Sequence, residues 1–268
     1  GHGLAGQVAR RLDYGNALIG PGFVDCDALS DLDTTILGYD NQPAWKKGRV
    51  WPRSYLAAGP YEMYTRDELA FQKKHAFASL IRNGITTALT IASLFYRAWG
   101  ETVQEFEDAA EAAAALGLRA YLGPAYRTGN QLVEADGRIT THYDEARGLA
   151  ELDAAIDFAK RHEGAAGGLI RAMFAPDRIE TSTAELLRRT AAVSRELDIP
   201  VRLHCCQSKI EYDLVLAQHG MSPPEWLESL GFLNERCLLP HGTVVSGSRH
   251  VERPGRDLEI IRDSGASI

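Results

Sequence analysis

The sequence has few cysteines, no long apolar run and fewer basic than acidic side chains. Four cysteines among 268 residues are too few for a disulfide scaffold, so we expect a reducing compartment, the cytoplasm. The 29 lysines and arginines against 36 aspartates and glutamates give a net charge of −7, which argues against a nucleic-acid partner. Because no apolar stretch reaches about eighteen residues, we expect no membrane-spanning helix either.

Short apolar runs alternate with amphipathic segments that carry helix-start signals. Two of these signals are capping boxes, at 65–68 (TRDE) and 222–225 (SPPE). Alternating strands and helices are typical of parallel βα units, and no GxGxxG follows the first run, as a doubly wound dinucleotide fold would require. We therefore predict an α/β fold, a (β/α)8 barrel, with strands in residues 17–24, 86–91, 118–122, 169–174, 201–203 and 237–239.

The predicted barrel is incomplete. The apolar runs account for six strands and, at 266–268, for the start of a seventh, so strand eight is missing. We expect the barrel to occupy residues 18–268 and the sequence to be a segment of a longer polypeptide. Because an open barrel exposes unpaired strand edges, we also expect that these residues alone do not form a stable monomer.

The polar residues after the predicted strands are the candidates for chemistry, because the active site of a parallel barrel lies at the carboxyl ends of its strands. Asp27 follows the first strand, Asp177 and Arg178 follow the fourth, and His204 and His241 end the fifth and sixth. Two histidines at neighbouring strand ends can converge on one ion, since imidazole is the commonest metal ligand. The alternative for each histidine is a hydrogen-bonded polar residue without a metal.

Cys205 and Cys206 directly follow the first of these histidines. Neighbouring residues of a strand point to opposite faces, so we expect only one of the two thiols to face the barrel interior. The pair is therefore not expected to form a metal or redox site, and buried, inert thiols are the simpler interpretation. A thiol nucleophile, Cys206 or Cys26 paired with a histidine, is a further alternative.

Six short stretches resemble motifs of the amidohydrolase superfamily, and they occur in the family's order. They are GPGFVD at 20–25, NGITT at 83–87, AP at 175–176, PVRLHCCQ at 200–207, EWLESLGFL at 225–233 and LPHG at 239–242. Each stretch is weakly specific alone, but six in order are a strong signal. The branch that the sequence resembles contains cytosine deaminases, chlorohydrolases and S-adenosylhomocysteine deaminases.

This resemblance implies a (β/α)8-barrel hydrolase that activates water with divalent metal against a carbon bearing nitrogen or halogen. It implies that His204 and His241 bind one metal, zinc in the first place or else iron or manganese, and that Gln207 and His241 are catalytic. The family's strand-eight aspartate, a metal ligand and base, would lie beyond residue 268. Residues 1–17 would end a β-sandwich or connector. A small-molecule substrate and a homo-oligomer are expected.

Three positions depart from the family motifs. The metal-binding HxH pair of the first strand falls on Asp27 and Leu29, of which only Asp27 can ligate, through oxygen. Gln207 stands where a glutamate protonates the leaving nitrogen, and an amide donates only a hydrogen bond. Asp177 replaces a histidine, and we expect Asp177 and Arg178 to bind substrate.

These observations support two main hypotheses. The first is a metal-dependent hydrolase that breaks a C–N or C–halogen bond of a small, heterocyclic molecule, with Asp27, His204 and His241 as metal ligands. Displacing a halide or an amine needs less acid assistance than expelling ammonia, so Gln207 is less damaging to those two reactions. The second hypothesis is a catalytically degenerate, metal-poor binding protein on the same barrel.

Overall fold

The computed structural model describes residues 10, 12–30, 51–58, 64–91, 101–249 and 251–268. Its strands are β1 (Phe23–Leu29), β2 (Trp51–Pro52), β3 (Ile85–Ile91), β4 (Arg119–Leu122), β5 (Ala125–Tyr126), β6 (Gly129–Val133), β7 (Ile139–Tyr143), β8 (Ile170–Ala172), β9 (Ala175–Pro176), β10 (Val201–Arg202) and β11 (Cys237–Leu238). Its helices are α1 (Arg53–Ala58), α2 (Arg66–Arg82), α3 (Val103–Leu116), α4 (Glu145–His162), α5 (Ala184–Leu197), α6 (Lys209–His219), α7 (Pro223–Ser229) and α8 (Asp257–Ser264), with short helical turns at Ala165–Gly168 and Ile179–Thr181. Most of the expected N-terminal connector, residues 1–9 and 11, lies outside the described residues.

The parallel strands follow one another in chain order, as a barrel requires. Strands β1, β3, β4 and β8 form one parallel sheet, and a bridge from Phe174 to Val201 continues it to β10. Strand β10 pairs in parallel with β11, which is bridged through Leu238 to Ser267. The predicted order of six strands and the start of a seventh is therefore confirmed.

The first strand lies further along the chain than predicted. Residues 17–22 are not in a strand, and Leu18 is 98% exposed, whereas β1 spans Phe23–Leu29. The prediction ended the strand at Val24 because polar residues follow it. A barrel strand that lines a polar site alternates polar and apolar residues, so Asp27 lies within β1 rather than after it.

The outer edge of β1 has no strand partner among the described residues. Strand β1 pairs with β3 on one side, and Phe23 and Val24 at its start are largely exposed. An open edge with apolar side chains invites pairing with another chain. The expectation that these 268 residues alone are unstable stays a prediction.

Helices cover the outer face of the sheet, and two large apolar clusters are buried between the helices and the strands. Phe77 of α2 and Phe106 of α3 pack in the cluster beneath β3 and β4. Leu187 of α5 and Trp226 of α7 pack in the cluster around β10 and β11. Each fully buried side chain of this size contributes about 1.5–3 kcal/mol. In the part of the chain that is described, no helix combines the length and apolar character needed to cross a membrane.

Side-chain caps start the helices where the sequence indicates. The Thr65 hydroxyl accepts a hydrogen bond from the Glu68 amide, and the Glu68 carboxylate accepts one from the Thr65 amide, before α2. Ser222 and Glu225 form the same reciprocal pair before α7, which has Pro223 in its first turn. Both predicted capping boxes are confirmed.

A β-hairpin that the sequence did not reveal follows barrel strand β4. Strands β6 and β7 pair antiparallel from Gly129 opposite Tyr143 to Val133 opposite Ile139, and β2 adds to β6. The segment is short and polar, so it carries no strong strand pattern. The Thr128 amide donates to the Thr181 carbonyl, which ties the hairpin to the turn at Ile179–Thr181 after β9.

We predict that Ser222→Ala destabilises the fold more than Thr65→Ala does. Ser222 is fully buried; its hydroxyl caps α7 and also donates to Asp257 Oδ1 at 2.5 Å. Its loss removes a cap and leaves a buried carboxylate short of a donor, at a cost of about 2–3 kcal/mol. Thr65 caps α2 with an exposed pair, for which about 1 kcal/mol is expected.

Urea denaturation of the two variants measures both costs. Equal destabilisation by the two substitutions would show that the bond from Ser222 to Asp257 adds nothing to the cap.

Candidate metal centre

Three side chains that can ligate a metal meet at the carboxyl ends of three barrel strands. Asp27 comes from β1, His204 follows β10, and His241 follows β11, and their ligand atoms all lie within 4.8 Å of one another. Asp27 Oδ1 is 3.6 Å from His204 Nε2, and Asp27 Oδ2 is 4.0 Å from His241 Nε2. The two imidazole rings stack with centroids 5.4 Å apart. The predicted proximity of these residues is confirmed; their role as ligands stays a prediction.

Parallel pairing continues past the ends of the strands, and it positions the two histidines. Arg178 bridges to His204, and Cys205 bridges to His241, so the ends of barrel strands four, five and six stay in register. His241 has a φ of +89°, which is uncommon for a residue with a Cβ. Such backbone strain persists where the surrounding structure enforces it, and it concentrates at functional sites.

One hydrogen bond fixes which nitrogen of His204 faces the centre. His204 Nδ1 lies 2.9 Å from the carbonyl oxygen of Asp177, and a carbonyl only accepts. Nδ1 therefore carries a proton, and Nε2 is the nitrogen that faces Asp27. Metal-binding histidines in proteins are oriented in this way by a partner on the other ring nitrogen.

Asp27 supplies a charged oxygen to the centre. Burial acts to raise the pKa of its carboxyl, but the imidazole of His204 and the guanidinium of Arg202 outweigh burial and hold that pKa below its ordinary value. Its Oδ1 atom is buried and makes no hydrogen bond. Two imidazoles and one such carboxylate oxygen fit a divalent ion such as zinc, iron or manganese. Leu29, on the same face of β1, offers no ligand.

Arg202 places a fixed positive charge beside this carboxylate. It stands two residues before His204, so strand alternation points both side chains to the barrel interior. Arg202 is 3% exposed, and its Nη1 lies 3.9 Å from Asp27 Oδ1; Nε and Nη1 make no hydrogen bond. Glu101 and Asp177 are its other acidic neighbours. Arg202 was not among the residues predicted from the sequence, although its two-residue spacing from His204 was a signal for it.

The two residues expected to bind substrate lie next to the centre, in a buried network of charges. Asp177 pairs with Arg127, whose Nη2 is 3.0 Å from Asp177 Oδ2. Arg178 donates through Nη1 to Glu180 at 3.0 Å and through Nη2 to the side-chain oxygen of Gln207. No sequence motif marked Arg127 or Glu180, because only the pairing of β5 with β9 brings them there. Substrate binding by Asp177 and Arg178 stays a prediction.

Glu211 holds the loop between His204 and α6. Its two carboxylate oxygens accept hydrogen bonds from the amides of Cys206, at 2.5 Å, and Gln207, at 3.1 Å. Burial, and then the nearby carboxylate of Glu180, raise the pKa of Glu211 to about 8. The position of Gln207 is thus fixed through its backbone as well as through its side chain.

The two adjacent cysteines do not point to opposite faces, and that expectation is wrong. Cys205 and Cys206 are both buried, and their sulfurs lie 3.5 Å apart. The reason is the φ of +59° at Cys206, which ends the strand alternation on which the expectation rested. Cys26 is exposed and is not one of the described residues that meet at the centre. This placement gives a Cys26 nucleophile no support.

Comparison with known proteins matches the geometry to a family. The family model described as the amidohydrolase family matches residues 38–268. The chain belongs to the amidohydrolase family. A 5-methylthioadenosine/S-adenosylhomocysteine deaminase of Halobacterium salinarum is 27% identical over 261 residues, which are 96% of this chain and 51% of the relative. The corresponding enzyme of Desulforudis audaxviator is 26% identical over 98% of this chain and 52% of its own length.

Solved structures share the barrel at lower identity. An adenosine deaminase from Xanthomonas campestris with bound zinc aligns with a TM-score of 0.63 and 20% identity, over 92% of this chain and 48% of that one. A guanine deaminase from C. acetobutylicum aligns with a TM-score of 0.65 and 15% identity, over 92% and 52% of the two chains. The fold is therefore the amidohydrolase barrel, and the chain spans about half the length of the curated relatives it matches.

We predict that Arg202→Met increases the affinity of this amidohydrolase centre for zinc. A buried guanidinium 3.9 Å from Asp27 Oδ1 repels a dication held by the same carboxylate, and methionine fills its volume without charge. The expected gain is at least about tenfold, or about 1.4 kcal/mol, measured by competition with a chelating dye. Arg202→Lys keeps the charge and should stay near the wild-type affinity. Unchanged or weaker zinc binding by Arg202→Met would contradict this reading of Arg202.

Proposed function

We propose that the chain carries the metal site of a hydrolase that breaks a C–N or C–halogen bond of a small heterocyclic molecule with metal-activated water. The observation that carries the proposal is the convergence of Asp27, His204 and His241 at the carboxyl end of an amidohydrolase barrel. Relatives and structural neighbours include nucleoside and guanine deaminases and an atrazine chlorohydrolase solved with zinc. All of these act on nitrogen heterocycles, by their names.

The metal that we propose is a single divalent ion, zinc before iron or manganese, since the ligand set contains two imidazoles and one carboxylate. When bound, such an ion supplies Lewis acidity that lowers the pKa of a water molecule. Asp27, His204 and His241 would hold it. We further propose a cytoplasmic protein that forms homo-oligomers and binds neither nucleic acid nor membrane.

Two side chains of this chain, those of His204 and Gln207, have separate roles in the proposed reaction. His204 is oriented by its Nδ1 hydrogen bond to Asp177, which leaves Nε2 for the metal. Gln207 donates a hydrogen bond to the substrate but no proton, because an amide has no proton to give at neutral pH. A leaving group that departs as an anion therefore suits this site better than an amine, which must be protonated before it leaves as ammonia.

The second candidate function is a metal-poor binding protein on the same barrel. Arg202 favours it, because its guanidinium already faces the carboxylate that a metal would use. Leu29 stands where the family motif has a metal ligand, and Gln207 stands where it has an acid. Both replacements also favour a binding protein. The two candidates predict opposite results for metal content after growth with ample zinc, iron and manganese.

We predict that the full-length gene product turns over chlorinated nitrogen heterocycles faster than the matched amino compounds. Suitable pairs are 6-chloropurine riboside with adenosine, and two triazines that differ only in chlorine or an amino group at one ring carbon. His204→Ala and His241→Ala should each lower bound metal and rate at least about 100-fold, because loss of a ligand costs at least as much as loss of its support. Rates and metal content, by elemental analysis, are measured on the same samples.

The matched control is His75→Ala, since His75 lies on the exposed face of α2 away from the centre. It should leave metal content and rates unchanged. A wild-type protein without metal after metal-replete growth, and without turnover of either pair, would overturn the hydrolase and favour the binding protein.

A further inference from the structure

Arg178 is engaged on both terminal nitrogens by its own chain. It follows β9, and its backbone is bridged to His204 on the next barrel strand. The side chain is 9% exposed. Its Nη1 donates to Glu180 at 3.0 Å, and its Nη2 donates to the side-chain oxygen of Gln207. These two bonds use two of the five N–H donors of the guanidinium, and Nε makes no hydrogen bond. The bond from Nη2 identifies Gln207 as a residue whose side chain Arg178 positions.

The contact decides which end of the Gln207 amide faces Arg178. A guanidinium has only donors, whereas an amide offers an acceptor oxygen on one side and two N–H donors on the other. The oxygen must therefore face Arg178, and the NH2 group is the end that is left for other partners. The backbone is fixed too, because the Gln207 amide N–H donates to Glu211 Oε2 at 3.1 Å.

We propose that Arg178 is a positioning residue that fixes Gln207 as a hydrogen-bond donor and so selects substrates whose leaving group departs as an anion. The inference rests on the proposed function, and it deepens it by naming halide-bearing heterocycles as the substrate class. In that reaction water oxygen bonds to the ring carbon, the C–Cl bond breaks with its electron pair on chloride, and the remaining water proton passes to solvent. The chloride accepts a hydrogen bond from Gln207 as it leaves.

The same contact predicts that a glutamate at position 207 would not act as an acid. Its carboxylate would replace the amide oxygen as the acceptor of Arg178 Nη2 and form an ion pair, which favours the ionised form. The other charged groups around this position are Glu180 on the guanidinium, Glu211 on the backbone, and the pair of Asp177 with Arg127. Only removal of the guanidinium, together with its partner Glu180, would free the new carboxyl to hold a proton.

The test compares Gln207→Glu with the triple variant Gln207→Glu/Arg178→Met/Glu180→Gln in the full-length gene product. The readout is kcat/KM for the chloro compound divided by kcat/KM for its amino counterpart. It is measured with whichever of the two substrate pairs gives the higher wild-type rate. Gln207→Glu alone should move the ratio toward the amine by less than about tenfold, and the triple variant by well over tenfold. Gln207→Glu/Arg178→Lys keeps a cation at 178 and should behave as Gln207→Glu does. An equal shift in the single and triple variants would overturn the proposal.

A second measurement keeps the inference testable without any turnover. The carboxyl of Glu introduced at position 207 is labelled with 13C and titrated by NMR in the metal-free protein. Its pKa should be lower in Gln207→Glu than in the triple variant, by at least about tenfold in proton affinity. Equal pKa values would overturn the role of Arg178. Absence of wild-type turnover would instead count against the proposed function alone.

Discussion

The hydrogen bond from His204 Nδ1 to the Asp177 carbonyl oxygen is the contact on which the centre depends. It joins the end of barrel strand four to the end of strand five. It also fixes the orientation of the His204 ring, so that Nε2 faces Asp27 across 3.6 Å. The same stretch of chain carries Arg178, which reaches Gln207. Two consecutive residues, Asp177 through its carbonyl and Arg178 through its side chain, thus hold His204 and Gln207 in place.

Charge, more than shape, distinguishes this centre from the family pattern that its motifs resemble. An imidazole pair on the first strand would be neutral, whereas Asp27 is ionised and Leu29 is apolar. The guanidinium of Arg202 balances Asp27 from within the barrel, so the three candidate ligands together with their nearest cation are close to neutral. A dication gains less from such a site than from an unbalanced carboxylate.

Sequence patterns predicted the parts of the fold that local chemistry specifies. The capping boxes at Thr65 and Ser222 were found because a hydroxyl and a carboxylate three residues apart satisfy free helix amides. Barrel order followed from alternating apolar runs. The extent of β1 was not predicted because Asp27 lines a polar interior. The hairpin of β6 and β7 was not predicted because its residues do not alternate between apolar and polar.

Only the residues of the candidate centre that lie in or next to the family motifs could be predicted from the sequence. Asp27, His204 and His241 come from strand ends, which the barrel brings together. Arg127 and Glu180 enter through tertiary pairing that no spacing encodes. Cys206 adopts a positive φ. This could not be predicted from the sequence, since cysteine has no preference for that conformation.

Anomalous diffraction at the zinc edge, from crystals of the full-length gene product grown with zinc, tests whether Asp27, His204 and His241 bind a metal. The account predicts one zinc per chain, with His204 Nε2, His241 Nε2 and an oxygen of Asp27 at about 2.0–2.2 Å. No anomalous peak between these three residues, or a peak bound to the histidines with Asp27 turned away toward Arg202, would contradict it.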